Sequence, residues 1–214
     1  MRVERFSVGP FDNNLYLLTQ SGSRDAVVVD PSGDDGTVLR EIARRGLTVK
    51  RILLTHAHID HILAVKPYRD ATGAPVWLHP ADRAWYERGA TQAGFYGIPW
   101  PGDAPVDHWM ADGESVGLPG MDVKALLTPG HSPGSMTFAT PDGLVSGDVL
   151  FAGSIGRFDL PMCDEEALYR SIRETLFAYP DATPVHPGHG PATTIGAERR
   201  HNPFVGESAL RRHA

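Results

Sequence analysis

The segment Leu54-Thr55-His56-Ala57-His58-Ile59-Asp60-His61 decides how this chain is read. Before it, Val49–Leu54 is a short apolar run suited to a buried strand. After it, Ile62, Val65 and Tyr68 recur at helical spacing as far as Gly73, which predicts a helix over Asp60–Thr72. The histidines therefore occupy a strand-to-helix junction. His56 and His58 are two residues apart near an extended strand end, so their side chains point the same way. Asp60 and His61 enter the helix start, where adjacent residues diverge. Four metal-capable groups lie within six residues and split two and two, which suits two adjacent metals better than one. Neutral imidazole and carboxylate are donors that zinc, iron or manganese accept.

Three later segments place similar groups at strand ends. Thr128-Pro129-Gly130-His131-Ser132-Pro133-Gly134-Ser135 holds a histidine in a stiff turn, Ser146-Gly147-Asp148 ends a strand with an acid, and Pro187-Gly188-His189-Gly190-Pro191 holds another histidine between glycines and prolines. Proline fixes φ, and glycine permits close backbone approach. Together with the first segment they supply five histidines and two aspartates.

Around these motifs the pattern is strands, then a helix, twice over. Val3–Val8, Leu15–Thr19 and Ala26–Asp30 read as a strand meander, followed by a helix over Thr37–Arg45 that stops at Gly46. A strand over Val76–Leu78 and a helix over Ala81–Arg88 complete the first half. The second half has strands over Asp122–Leu127, Ser135–Thr140 and Leu144–Asp148, with a hairpin at Pro141-Asp142-Gly143. It continues with a helix over Glu165–Phe177 capped by Asp164, a strand over Thr183–His186 and a helix over Ile195–His201. Two β/α halves packed sheet on sheet, with helices outside, are expected. Gly89–Asp107 reads as an aromatic covering loop carrying Phe95, Tyr96 and Trp100.

The chain has 214 residues, which at roughly 150 per domain predicts a single domain spanning 1–214. No apolar run approaches the roughly 18 residues of a membrane span. A net charge of −6 without a basic tract disfavours nucleic acid and anionic lipid as partners. The charged start, Met1–Pro10, does not read as a secretory signal, and the lone Cys163 fits a reducing cytoplasm. The expected partner is a small-molecule substrate, and the expected state is a monomer or homodimer.

The His56–His61 segment, His131, Asp148 and His189 resemble the metal signature of the metallo-β-lactamase superfamily in residue type, order and setting. The resemblance implies an α+β fold, a four-layer αβ/βα sandwich with a dinuclear site at one edge of the sheets. It implies one metal on His56, His58 and His131, a second on Asp60, His61 and His189, and Asp148 between them. The ions expected are zinc first, with iron or manganese as alternatives. Gly153-Ser154-Ile155-Gly156-Arg157-Phe158-Asp159-Leu160-Pro161 and the tail from Pro187 to Phe204 resemble the glyoxalase II-like hydrolases. The implied reaction is hydrolysis of a thioester such as S-lactoylglutathione by a metal-bridging hydroxide, with Asp60 as the catalytic acid–base group. Arg157, Tyr96 and Trp100 are the expected substrate contacts. Asn14 and Asp30 match strand positions read as structural.

Two rivals share the resemblance: mononuclear-iron persulfide dioxygenases, and lactonases or other ester hydrolases. Leu63-Ala64 and Met162-Cys163 stand where relatives usually carry glycine pairs. About 25 residues follow His189, short of the extra helical region of classical glyoxalase II, so recognition is expected to fall to Arg157 and the aromatic loop.

Overall fold

A computed structural model describes residues 1–33 and 36–207. The first sheet runs β1 (Arg2–Val8), β2 (Asn13–Thr19), β3 (Asp25–Val29), β4 (Thr48–Leu53), β5 (Val76–Leu78) and β6 (His108–Trp109), in that spatial order. Its first three strands are antiparallel and the rest join in parallel through helical crossovers. In the second half, β7 (Lys124–Leu127), β8 (Met136–Thr140) and β9 (Gly143–Gly147) form an antiparallel meander. A small hairpin of β10 (Leu150–Phe151) and β11 (Ser154–Ile155) stands apart. Next, β12 (Pro184–Pro187) pairs in parallel with β9, and β13 (Thr193–Thr194) closes the edge.

Alternation along the strands builds the layers. On β2, Tyr16 and Leu18 join Val27, Val29 and Leu53 in facing Val123, Ala125, Met136, Phe138 and Val145 of the other half. The neighbouring Leu15 and Leu17 face the opposite way, toward Val38, Ile42, Ile62 and Tyr68 of the helices. That two-residue period requires a strand apolar on both faces, and β2 is buried along its whole length. The outer face of the second sheet buries Leu144 and Val185 against Leu168, Ile172 and Ile195. Helix, sheet, sheet and helix are therefore stacked as four layers.

The helices are α1 (Thr37–Arg44), α2 (Ile59–Ile62), α3 (Val65–Thr72), α4 (Arg83–Tyr86), α5 (Gly89–Phe95), α6 (Glu165–Arg170) and α7 (Ile195–His201). Asp164 caps α6 by accepting from the Ala167 amide at 2.9 Å. The helix then widens through Ser171–Thr175 and tightens over Leu176–Ala178, so the predicted Glu165–Phe177 element is present but not uniform.

Two expectations need correction. The helix predicted over Asp60–Thr72 is broken at Leu63-Ala64, because the Ala64 amide donates to the Pro31 carbonyl at 2.8 Å instead of to the preceding turn. The aromatic loop predicted over Gly89–Asp107 begins as a helix, α5. Gly89 misled the reading: it is helical and side-chain-free because the Trp100 ring lies against it, where a Cβ would come within 2.5 Å of the ring.

Candidate metal centre and substrate cavity

Five chain segments leave the sheets at one edge and converge. The loop after β4 brings His56, His58, Asp60 and His61, and the loop between β7 and β8 brings His131. Asp148 and His189 follow the neighbouring ends of β9 and β12, whose parallel pairing sets them side by side. An isolated bridge between Asn13 and His189 ties the start of β2 to the same edge. Seven donors form two clusters, one of His56, His58 and His131, the other of Asp60, His61, Asp148 and His189, with donor atoms within 4.8 Å of one another in each.

Asp148 lies between the clusters. Its Oδ2 is 3.6 Å from His131 Nε2 and 3.6 Å from His189 Nε2, and its Oδ1 is 3.3 Å from His61 Nε2. Asp60 Oδ2 lies 3.1 Å from His189 Nε2. His58 turns its Nδ1 toward His131 Nε2, 2.8 Å away. Two imidazole nitrogens this close either share a proton or face a common cation.

The outer hydrogen bonds decide which nitrogens face inward. His61 Nδ1 donates to Asp30 Oδ2 at 2.8 Å, and His131 Nδ1 donates to the Arg157 carbonyl at 2.8 Å. Thr55 Oγ1 donates to Asp30 Oδ2 at 2.6 Å, so its contact of 3.0 Å with His56 Nδ1 is donated by the imidazole. Each of these rings keeps an Nε2 lone pair for the centre, and such orientation of ligating imidazoles is a recurring feature of metal sites. His56 Nε2 and Asp148 Oδ1 are buried without any hydrogen-bond partner. Buried polar atoms are normally paired, so these two orphans are what a cation-binding centre leaves in the protein alone.

The electrostatics agree with the geometry. Burial holds His56 far below its ordinary pKa, helped by the neighbouring imidazoles, and takes His58 down to about 3. Both remain neutral donors. For His61, burial is outweighed by Asp148, Asp60 and Asp30, which push its pKa well up. For Asp60, burial is outweighed by His61 and His189, which hold the carboxyl well below the usual range. The second cluster therefore favours positive charge at Nε2, whether carried by a proton or a metal. The described residues fit two divalent ions by donor chemistry, orphaned atoms and field alike.

Asp30 earns its place through strain. It sits at φ 50°, unusual for a residue with a side chain, and its carboxylate also accepts from the Thr55 amide at 2.7 Å. Gly147, at φ 51°, leaves room for Thr55, whose Oγ1 would lie 2.5 Å from any Cβ there. Asn14 donates to the Pro187 and Gly190 carbonyls, each at 2.9 Å, and Tyr16 Oη donates to Pro187 at 2.7 Å. These bonds fix the His189 turn across the two sheets.

Above the donors opens a cavity of about 710 Å³. Tyr96 and Arg157 line it. Trp100 does not: its ring is taken up against Gly89 and its indole donates to Asp103 at 3.1 Å, which corrects the expected substrate contact. The Arg157 guanidinium is held by both oxygens of Asp159, at 2.8 and 3.0 Å. Asn13 escaped the sequence reading, and its Nδ2 is 3.2 Å from Asp60 Oδ2 and from His61 Nε2. Gln92 escaped it too: Oε1 accepts from the Ile59 amide and Nε2 donates to the Ala57 carbonyl, each at 3.0 Å. No local motif marks either residue; only their place beside the histidine loop reveals them.

The model of the metallo-beta-lactamase superfamily matches residues 8–193. The chain belongs to this superfamily. It is 36% identical over 214 residues to the probable metallo-hydrolase YqgX of Bacillus subtilis (strain 168), covering 98% of this chain and 100% of that one. It is 35% identical over 209 residues to the hydroxyacylglutathione hydrolase GloC of Haemophilus influenzae, covering 96% and 98%. Among solved structures, the B3 metallo-beta-lactamase BLEG-1 superposes with a TM-score of 0.89 at 40% identity, over 95% of this chain and 99% of that one. TTHA1623 in a di-iron-bound form follows at 0.85 and 41%, over 94% and 100%. The superfamily and the donor clusters make this a metal-dependent hydrolase of the superfamily's fold.

Proposed function

We propose that this protein hydrolyses a thioester of the S-hydroxyacylglutathione type at a two-metal centre. The observation that carries the reading is the pair of donor clusters with Asp148 between them, at the base of an open cavity. The likeness to a hydrolase named for hydroxyacylglutathione supports the thioester. His56, His58 and His131 would hold one ion, Asp60, His61 and His189 the other, and Asp148 would contact both. Divalent ions there supply Lewis acidity and a nucleophilic water at neutral pH. The di-iron relative keeps iron beside zinc as the metal.

The side chains perform the remaining work. Asp60 is held ionised and lines the cavity, so its carboxylate can accept a hydrogen bond from a water, orient it and guide its proton toward the leaving group. A thiolate leaves readily and needs little of that proton. His131, pinned through its Nδ1, and His58 form one side of the floor against which the carbonyl lies. Tyr96 and Arg157 line the cavity above them.

The test is turnover of S-lactoylglutathione by purified protein of measured metal content, followed as thiol release. Hydrolysis above buffer, lost on chelation and restored by zinc or iron, is expected. No turnover on any thioester rejects the reading. One iron per chain, with oxygen uptake on glutathione persulfide, replaces it with a dioxygenase.

A further inference from the structure

The wall of the cavity is specific in its chemistry. Arg88, Thr91, Gln92 and Phe95 line it at positions i, i+3, i+4 and i+7, so one face of α5 and its cap forms the wall. Gln92 Nε2 also donates to the Trp85 carbonyl at 2.9 Å, so both of its amide hydrogens are committed to the metal-ligand loop and to α4 and it has no donor left for a ligand. Phe95 is 85% exposed at the rim. It meets Tyr96 edge to face at 5.2 Å, and Tyr96 meets Phe11 in the same way at 5.2 Å. Phe151, Ile155 and Leu160 face them from the other side.

Charge is just as sparse. Arg157 is neutralised by its two-pronged pairing with Asp159. Among the described residues lining the cavity, Arg88 is the cation with no carboxylate within ion-pair reach. A glutathionyl arm carries two carboxylates, an ammonium and two peptide groups, and this wall can match one of those charges.

We infer that the substrate arm filling this cavity is apolar, a medium alkyl chain or an aromatic ring, and ends in a single anionic group paired with Arg88. This inference rests on the two-metal thioester-hydrolase reading, keeps its reaction and replaces the glutathionyl arm with a less polar one. The aromatic rim, Phe95 above all, is covered when the arm is in place, and the uncompensated guanidinium selects its charged end. Gln92 fixes the register between that wall and the metal ligands, so an arm seated on α5 presents its carbonyl to the centre.

Four thioesters test this with the metal-loaded protein. S-Hexanoyl-N-acetylcysteamine is the neutral reference. S-Adipoyl-N-acetylcysteamine carries a terminal carboxylate on the acyl side, S-hexanoyl-3-mercaptopropionate carries one on the thiol side, and S-lactoyl-N-acetylcysteamine removes the apolar arm. One of the two anionic thioesters is expected to exceed the reference in kcat/KM by about tenfold, as a charge-assisted pair with a guanidinium that has no competing carboxylate allows. Arg88→Gln should bring that ratio to near one, and Arg88→Lys should restore part of it. Phe95→Ser should lower the hexanoyl-to-lactoyl ratio at least threefold; the side chain is exposed, so folding is spared. Equal rates for neutral and anionic thioesters, or a ratio that survives Arg88→Gln, overturn the inference. If no thioester turns over, the hydrolase reading fails by itself, and calorimetric binding of octanesulfonate against octanol decides the subsite. Tighter sulfonate binding lost in Arg88→Gln upholds it, and equal binding ends it.

Discussion

Asn13 places an amide where the second donor cluster is most crowded. Its Nδ2 lies 3.2 Å from Asp60 Oδ2, 3.2 Å from His61 Nε2 and 3.4 Å from His189 Nε2, in a side chain that is 1% exposed. With the imidazole lone pairs committed to a cation, the donation that remains is the one to Asp60. That bond fixes Asp60, the carboxylate proposed above as a ligand of the second ion and as the group that handles the proton. Asn13→Leu keeps the size and removes the donor. The second equivalent of metal is then expected to bind about 10- to 100-fold more weakly, as for other outer contacts of metal ligands, with the first equivalent unchanged. A competition titration against a chromophoric chelator reads both steps, and equal weakening of both would refute the role. The difference between Asn13 and His56 also explains what a sequence can disclose. His56, His58, Asp60 and His61 are chemically unusual as a cluster and sit within one junction, so their spacing alone marks a candidate metal site. Asn13 is an ordinary residue at the start of a strand, and it meets Asp60 only because β2 pairs into the sheet with the right register.

At the scale of elements, the two histidine loops are joined by one carboxylate. Asp82, fully buried beside α4, accepts from the Ala57 amide at 2.8 Å, from Ser132 Oγ at 2.9 Å and from the Gly134 amide at 2.6 Å. The loop after β4 and the loop between β7 and β8 are thus held at a fixed spacing by a residue that lies in neither. Both oxygens accept backbone donors, so an amide in this place must turn an NH2 group toward an N–H. Asp82→Asn should therefore destabilise the fold by about 1–3 kcal/mol, the usual cost of leaving a buried donor unpaired. Urea unfolding of the metal-free protein measures it, and an unchanged midpoint would show that the two loops do not depend on this tie. The element boundaries follow the same logic of local against distant causes. The Pro141-Asp142 turn and the Asp164 cap are encoded within a few residues, and both are where the pattern put them. The break at Leu63-Ala64 is set by a carbonyl from Pro31, and the helix at Gly89 by a ring from Trp100. Pro31 lies far outside any window around the break, and Trp100, though in the same segment as Gly89, acts on it through packing that periodicity does not read.

For the whole molecule, the question is whether two ions hold the sheets together or occupy an edge already formed. The donors come from both sheets, which favours dependence on the metal. Against that, the inter-sheet core is extensive and dry, built on Tyr16, Leu18, Val27, Phe138 and Val145, and it does not pass through the centre. The sheets are also tied at the same edge by Asn14 and Tyr16, through bonds to Pro187 and Gly190 that need no ion. Protein charges at the second cluster compensate one another, with His61 and His189 pushed up by the carboxylates, and Asp60 and Asp148 held down by the histidines despite burial. The metal-free chain should therefore keep its fold, and the ions should add stability by mass action. At a hundredfold excess over the dissociation constant each ion contributes about 2.7 kcal/mol. For a chain of this size a kilocalorie moves Tm by roughly 2–4 °C, so chelation should lower Tm by about 5–10 °C per ion. Far-ultraviolet circular dichroism of the chelated protein is expected to match the loaded form below the transition. Loss of that signal at 25 °C would mean that the edge is assembled by its metals, and that the core between the sheets is insufficient alone.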